Sequence, residues 1–199
     1  MRATAFFQTG SKTIRFAPHP NGDTLRIKGT MKFSHLICCM SFLAFFGLKK
    51  ASAIEIGADA PAVTAVDEAG QAVRFADFYR TGITLVYFYP KADTPGCTAE
   101  ACAVRDSMES LKARGVQVLG VSEDKPDAQK RFREKYHLPF VLVADSEGTV
   151  ARAFGVPTLL GFAKRQSFLV KGGKIVWRDL SVSPATHVAE VNKALDSLK

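Results

Sequence analysis

The sequence predicts an α/β domain over residues 54–199, preceded by a basic leader over residues 1–53. Short runs rich in β-branched and aromatic residues alternate with stretches of helical periodicity as far as the C-terminus, which is the pattern of α/β domains. The composition is 47% hydrophobic and 23% charged, as in ordinary globular proteins. The length of 199 residues is compatible with one domain and a leader.

The first half of the domain contains two predicted strands and one helix. A weak strand over 62–66 is followed by an apolar and aromatic run over 84–89 that ends at Pro90. Such a continuous run is typical of a central strand that is buried on both faces. Apolar residues at helical spacing then predict a helix over 97–112.

The second half continues the alternation. A buried strand is predicted over 116–121, and Pro126 is well placed to begin a helix that continues to residue 136. The remaining predictions are strands over 139–143 and 167–170, a hairpin turn at Gly172–Gly173 into a strand over 174–177, and a helix over 184–198. This order is typical of a thioredoxin-like fold, with a mostly parallel central sheet, helices on both faces and an antiparallel hairpin at one edge. Ligands bind at the carboxyl ends of strands in such sheets, which predicts the functional site at residues 90–102.

The positive charge of the chain is concentrated in its leader. The formal net charge is +8, but residues 1–54 contain eight of the 27 basic residues and only one of the 19 acidic residues. The rest of the chain therefore has a net charge of about +1. Binding to a nucleic-acid backbone needs a sustained basic face, so we expect no nucleic-acid partner.

The leader has the order of residues found in secretory signal peptides. Lys32 precedes an apolar run of about 13 residues, and Ala51-Ser52-Ala53 supplies the small residues of a cleavage site. The run is shorter than the 18 or more residues of a membrane-spanning helix. We expect translation to begin at Met31, unless residues 1–30 form a long basic n-region, and we expect cleavage after Ala53 and export to the periplasm or the exterior. Two lysines before the cleavage site leave open an uncleaved signal that anchors the protein on a membrane.

The four cysteines are Cys38, Cys39, Cys97 and Cys102. The first pair lies in the apolar run of the leader, where we interpret it as apolar filler. Two cysteines in the domain are too few for a disulfide scaffold, and with only two histidines beside them a zinc site is poorly supported. The sequence therefore predicts neither a metal nor another cofactor.

Cys97 is predicted in the first turn of a helix, directly after the central strand. The free N–H groups and the positive end of the helix dipole stabilise a thiolate there, and the thiolate is the reactive form of cysteine. Thr94 can cap or orient this turn, and the pocket is predicted to include Pro90 and Gly96. A stabilised thiolate beside hydrogen-bond donors is what attack on a peroxide O–O bond requires.

These residues resemble a known family. Pro90-x-x-x-Thr94-x-x-Cys97 matches the active-site motif of the peroxiredoxins, and the string PKADTPGCTAEAC is similar to the peroxiredoxin Q, or bacterioferritin comigratory protein, subfamily over about residues 55–199. The resemblance implies that Cys97 is the peroxidatic cysteine, that Cys102 resolves it in an intramolecular disulfide, and that Arg165 stabilises the thiolate and holds the peroxide. It also implies hydrogen peroxide and organic hydroperoxides as substrates, a thioredoxin-like reductant, a monomer and a role in antioxidant defence.

Two other functions stay open at this point. A thioredoxin-type thiol–disulfide oxidoreductase would share the fold, but it normally carries C-x-x-C, whereas this chain has C-x-x-x-x-C. A non-catalytic binding or chaperone-like protein would be expected to lack Cys97, Thr94 or Arg165, and all three are present. Thr94 could also be a purely structural cap and Arg165 a surface charge.

Two neighbouring charged residues are given no part in catalysis. We interpret Glu100 as polar surface, and we expect Arg105 to stabilise the helix by pairing with Asp106 or Glu109.

Overall fold

A seven-stranded sheet forms the centre of the domain in a computed structural model that describes residues 53–198. The strands of this sheet are β1 (Thr64–Asp67), β2 (Ala72–Arg74), β3 (Ile83–Phe88), β4 (Val116–Ser122), β5 (Val141–Ala144), β8 (Gln166–Lys171) and β9 (Lys174–Asp179). Strands β6 (Thr158–Leu159) and β7 (Phe162–Ala163) pair separately. The helices are α1 (Phe75–Phe78), α2 (Pro95–Asp106), α3 (Met108–Ala113), α4 (Pro126–Tyr136), α5 (Thr149–Phe154) and α6 (His187–Ser197).

The sheet is mixed, with the strand order β2-β1-β5-β4-β3-β8-β9. The three central strands β5, β4 and β3 are parallel, and antiparallel pairs extend the sheet on both sides. The predicted edge hairpin is found, but the prediction of a mostly parallel sheet holds only for the three central strands, because two of the six strand pairs are parallel and four are antiparallel. The hairpin turn between β8 and β9 needs positive φ at two residues, and Gly172 (φ 56°) and Gly173 (φ 74°) supply it.

Most predicted helices and strands lie where the sequence places them, and α4 matches its predicted bounds. The helix predicted over 97–112 is divided into α2 and α3, because the Ser107 N–H donates to the carbonyls of both Ala103 and Val104. Four short elements had no sequence prediction, namely β2, α1, α5 and the small β6–β7 hairpin.

Strand β3 separates two hydrophobic clusters, one on each face of the sheet. Leu85 and Tyr87 belong to the cluster beneath α2, α4 and α6, whereas Val86 and Phe88 belong to the cluster on the opposite face. Successive side chains of a strand point to opposite faces, so both clusters hold β3 in place. Burial of β3 on both faces confirms its prediction as a central strand.

The expectations for the leader lie outside the described residues. They include the start at Met31, the apolar run with Cys38 and Cys39, and the segment before the cleavage site. Within residues 53–198, no helix is long and apolar enough to cross a membrane.

The aromatic packing of β8 predicts a large cost for truncating Phe168. This side chain is fully buried, with ring centroids of Phe88 and Phe154 at 6.0 and 5.2 Å. We expect Phe168→Ala to lower the free energy of unfolding by about 3–5 kcal/mol, measured by urea denaturation of the reduced protein. Phe162→Ala removes a ring that is 42% exposed and serves as the control, with an expected loss below about 1 kcal/mol. Equal losses in the two variants would contradict this description of the core.

Candidate active site

The candidate site lies where β3 ends and α2 begins. The connection over residues 89–94 leaves the carboxyl end of a central strand, and Pro95 is the first residue of α2. This is the edge of the sheet at which open α/β folds bind ligands, as the sequence predicted.

Side chains from neighbouring elements hold this connection. The Ala92 N–H donates to Asp124 Oδ2 at 2.7 Å. Asp93 adopts a φ of 58°, and its carboxylate accepts hydrogen bonds from Lys135 Nζ at 2.9 Å and from the Tyr136 hydroxyl at 2.7 Å. These two donors, Lys135 first, lower the pKa of Asp93. The loop before Cys97 is therefore fixed from the β4–α4 side of the domain.

Cys97 lies in the first turn of α2 and is only 2% exposed. Arg165 Nη2 donates a hydrogen bond to its sulfur at 3.3 Å. Cys97 is a free cysteine, as is Cys102, so the structure is that of a reduced form. A cation and the N-terminal end of a helix therefore meet at one sulfur atom.

Thr94 is the N-cap residue of α2, but its hydroxyl makes no capping bond to the helix. The hydroxyl donates instead to the Lys91 carbonyl at 3.0 Å, and the Thr94 carbonyl accepts the Thr98 N–H at 2.8 Å. The structure therefore does not show the predicted capping role, and the orienting role stays a prediction.

Arg165 joins Cys97 to a buried carboxylate. Its Nη1 donates to Glu100 Oε2 in an ion pair whose carboxylate is fully buried. Burial alone would lower the pKa of Arg165, but the Glu100 charge and the Cys97 sulfur outweigh burial and raise it. The interpretation of Glu100 as polar surface was wrong: it lies three residues after Cys97, and residues at this spacing share one face of a helix.

Gly96 leaves room for the guanidinium group. A Cβ atom at this position would lie 3.6 Å from Arg165 Nη2, so a longer side chain would press against the group that contacts Cys97. Pro90 is half-buried at the start of the same connection.

Cys102 lies on the same helix as Cys97, five residues further on, and is half-buried. Near it, Arg105 Nε donates to Asp106 Oδ1 at 2.8 Å, which confirms the first of the two partners predicted for Arg105. Arg105 Nη1 also donates to the Tyr136 carbonyl at 2.9 Å and so ties α2 to the end of α4.

Comparison with known proteins identifies the family. Residues 56–178 match the AhpC/TSA family. The chain is 41% identical over 156 residues to peroxiredoxin Bcp of Bacillus subtilis, covering 73% of this chain and 96% of that protein. It is 34% identical over 200 residues to the chloroplastic peroxiredoxin Q of Oryza sativa subsp. japonica, covering 98% and 85%. Peroxidoxin BcpB of Mycobacterium tuberculosis superimposes with a TM-score of 0.69 at 30% identity, over 73% of this chain and 99% of that one.

The chain belongs to the peroxiredoxins of the AhpC/TSA family. The resemblance to the peroxiredoxin Q and Bcp group and the thioredoxin-like fold are confirmed. This peroxiredoxin is a thiol-dependent peroxidase, with a hydroperoxide as substrate and a thioredoxin-type protein as reductant. Membership therefore favours the peroxidase over the oxidoreductase and the binding protein that the sequence left open.

The peroxiredoxin fold brings together Cys97 and Arg165, which are 68 residues apart in the sequence, as the resemblance implied. Sequence reasoning missed a histidine behind Glu100. His187 Nδ1 lies 3.0 Å from Glu100 Oε1, and its Nε2 lies 2.8 Å from Ser167 Oγ. No local pattern marks this contact, because the three side chains come from α2, β8 and α6.

Tyr87 adds a buried hydroxyl to the same region. Its ring centroid lies 5.6 Å from that of His187, and within the described part of the chain its hydroxyl has no hydrogen-bond partner. Burial first, and then the nearby Tyr89 and Glu100, raise the pKa of Tyr87 well above its ordinary value. The Tyr87 hydroxyl therefore keeps its proton, and its side chain is an uncharged part of the site.

Removal of the Arg165 guanidinium is expected to slow the peroxidase strongly. We expect Arg165→Met to lower the second-order rate constant for hydrogen peroxide by roughly 100-fold, the order found when one donor to developing charge is lost. Stopped-flow kinetics of the reduced protein measures this rate. The control is Lys164→Met, which removes an exposed cation one residue away and should leave the rate within about threefold of the unmodified chain. Circular dichroism checks the fold, because Arg165→Met leaves Glu100 without its cation. A near-normal rate in folded Arg165→Met would contradict the role of the contact.

Proposed function

We propose that Cys97 is the peroxidatic residue of this peroxidase, with its thiolate held by Arg165. The observation that carries the proposal is the 3.3 Å hydrogen bond from Arg165 Nη2 to Cys97 Sγ in the first turn of α2. The thiolate attacks one peroxide oxygen, so that an S–O bond forms and the O–O bond breaks. The second oxygen leaves with the bonding electrons and takes a proton, giving water or an alcohol, and Cys97 becomes a sulfenic acid. We place Thr94, Pro90 and Gly96 around the bound peroxide.

Cys102 resolves the sulfenic acid in the second step. Its thiol sulfur attacks the Cys97 sulfur, an S–S bond forms, and the hydroxyl group leaves as water with the thiol proton. The thioredoxin-type reductant then supplies two electrons and two protons through thiol exchange. Because both cysteines belong to one chain, the cycle needs no second subunit, and we propose a monomer.

The disulfide requires part of α2 to unwind. Five residues along a regular helix separate two Cα atoms by roughly 8–9 Å, whereas a disulfide needs a separation below about 7 Å. Both cysteines lie within the continuous helix α2, so they cannot be joined while that helix stays intact.

Substitution of the two cysteines separates their roles. We expect Cys97→Ser to abolish peroxide consumption, and Cys102→Ser to consume about one equivalent of peroxide and accumulate a sulfenic acid on Cys97. Treatment with a sulfenic-acid-trapping reagent, followed by peptide mass analysis, measures the second outcome. The peptide masses also distinguish labelled Cys97 from labelled Cys38 or Cys39. In the unmodified chain the same analysis should show a Cys97–Cys102 disulfide. A Cys97→Ser variant with normal turnover would overturn the assignment.

We propose that residues 1–53 are an export signal, with translation from Met31 and cleavage after Ala53. The order of basic, apolar and small residues supports this proposal. Cleavage there leaves Ile54 as the first residue. The fold already engages Ile54: its N–H donates to the Phe154 carbonyl at 3.1 Å, and Arg178 donates to its carbonyl at 2.7 Å. The mature enzyme then works in the periplasm or the exterior with a reductant of that compartment, and it contacts a membrane only if cleavage fails.

Expression of the full chain in a bacterial host, with a C-terminal tag, tests the leader. We expect periplasmic protein whose first residue by mass spectrometry is Ile54. Ala53→Leu should block cleavage, because the residue directly before the cleaved bond has to be small. Ser52→Leu is the control, because the residue one position earlier can be larger. The rice relative whose alignment spans 98% of this chain is named as chloroplastic. If the full chain stayed in the bacterial cytosol and isolated plastids took it up, the leader would be an organelle-targeting signal and not an export signal.

A further inference from the structure

A buried histidine completes the set of contacts around Glu100. His187 is the first residue of α6 and is 1% exposed. Its Nδ1 lies 3.0 Å from Glu100 Oε1, which is an ion-pair distance, and neither atom makes a hydrogen bond within the described residues. The two oxygens of the carboxylate are thus divided, with Oε2 facing Arg165 and Oε1 facing His187.

The partners of the imidazole determine where its proton lies. An ionised carboxylate only accepts hydrogen bonds, so the tautomer that suits this contact carries its hydrogen on Nδ1. In that tautomer His187 Nε2 accepts the hydroxyl hydrogen of Ser167, whose Oγ lies 2.8 Å away. A line of polar contacts therefore runs from Ser167 through His187 to Glu100.

This line has the order of a serine, histidine and carboxylate triad, but it cannot act as one. Ser167 lies in β8, between β3 and β9, and is fully buried, so no substrate reaches its hydroxyl. In a catalytic triad the carboxylate orients the histidine. Here the carboxylate is also the group that binds Arg165. The histidine therefore acts on the position of the carboxylate, and not the carboxylate on the histidine.

We propose that His187 is a positioning residue for the peroxidase reaction, because it prevents Glu100 from binding both Nη1 and Nη2 of the Arg165 guanidinium. Arginine and a carboxylate readily form two parallel hydrogen bonds. In this structure Arg165 gives only Nη1 to Glu100 and keeps Nη2 for Cys97 Sγ. His187 Nδ1 lies against Oε1, and this contact keeps Nη2 on the sulfur. The inference rests on the proposed role of Cys97.

Glu100 Oε1 is a buried acceptor without a hydrogen bond among the described residues, and His187 Nδ1 is its polar contact, so loss of that nitrogen would raise the cost of burying the oxygen. The nearest remedy is rotation of Arg165 into a two-bond contact with Glu100, which removes Nη2 from Cys97. The titratable or charged groups around the imidazole come from three places: Glu100 on α2, Arg165 before β8, and Tyr87 on β3. Tyr87 stays neutral. The position of the guanidinium is therefore determined by the charges of Glu100, of Arg165 itself and of the thiolate.

Three substitutions at His187 separate positioning from packing. His187→Asn places an amide N–H near the position of Nδ1 and retains a donor to Glu100. His187→Gln extends its amide toward Ser167 and loses that donor, and His187→Leu removes both contacts. Val191→Ala, one turn further along α6 in the same core, is the control for a packing defect.

Two measurements on the reduced full chain test the proposal. The first is the rate of Cys97 alkylation by iodoacetamide from pH 4 to pH 9, followed by peptide mass analysis, and the second is the stopped-flow rate with hydrogen peroxide. We expect His187→Leu and His187→Gln to lower both rates at pH 7 by roughly tenfold or more, as loss of outer hydrogen-bond partners does at other reactive sites. The midpoint of the alkylation profile should move to higher pH. His187→Asn should restore most of the rate, and Val191→Ala should leave the midpoint unchanged.

The outcomes distinguish this inference from the proposed function. An alkylation midpoint that His187→Leu does not move would overturn the positioning role, and so would an equal shift in Val191→Ala. Alkylation does not require peroxide, so it tests His187 even if the peroxide reaction fails. Peroxide consumption that survives in Cys97→Ser would instead reject the role of Cys97.

Discussion

The ion pair between Glu100 and Arg165 is the contact on which the active site depends. A carboxylate with no exposed surface is costly to bury unless its cation and further hydrogen bonds satisfy it. Arg165 supplies the cation from 65 residues further along the chain, and the same guanidinium reaches the Cys97 sulfur. His187 Nδ1 lies 3.0 Å from the other carboxylate oxygen. In the proposed mechanism, the charge that makes the thiolate reactive is therefore also the charge that balances a buried acid in the core.

The position of Glu100 links this pair to the redox cycle. Glu100 lies between Cys97 and Cys102 on α2, in the segment that would have to unwind for the proposed disulfide to form. The structure keeps the three residues on one continuous helix. The proposed disulfide and an intact contact between Glu100 and Arg165 would thus be alternative states of one segment. The stability of that contact would then contribute to the preference for the reduced form.

Local patterns predicted most of the fold and the centre of the site, and contacts between distant residues account for the rest. The apolar run of β3, the prolines before α2 and α4 and the glycine pair before β9 each determine structure within a few residues. Glu100 seemed to be a surface residue because its partners, Arg165 and His187, are 65 and 87 positions away. The β6–β7 hairpin has only two residues in each strand and carries no periodic pattern. Such features depend on tertiary packing, and one sequence without its fold does not reveal them.

Oxidation changes the charge around the ion pair of Glu100 and Arg165. In the proposed cycle, Arg165 lies between the Cys97 thiolate and the Glu100 carboxylate before the reaction. A sulfenic acid is uncharged, so the proposed first step would remove one of the two anions that hold the guanidinium. The contact between His187 and Glu100 does not involve the sulfur. The proposed cycle would therefore weaken the reduced fold first at the sulfur, where Cys102 has to arrive. By discharging the thiolate, the peroxide reaction would lower the cost of the unwinding that the second step requires.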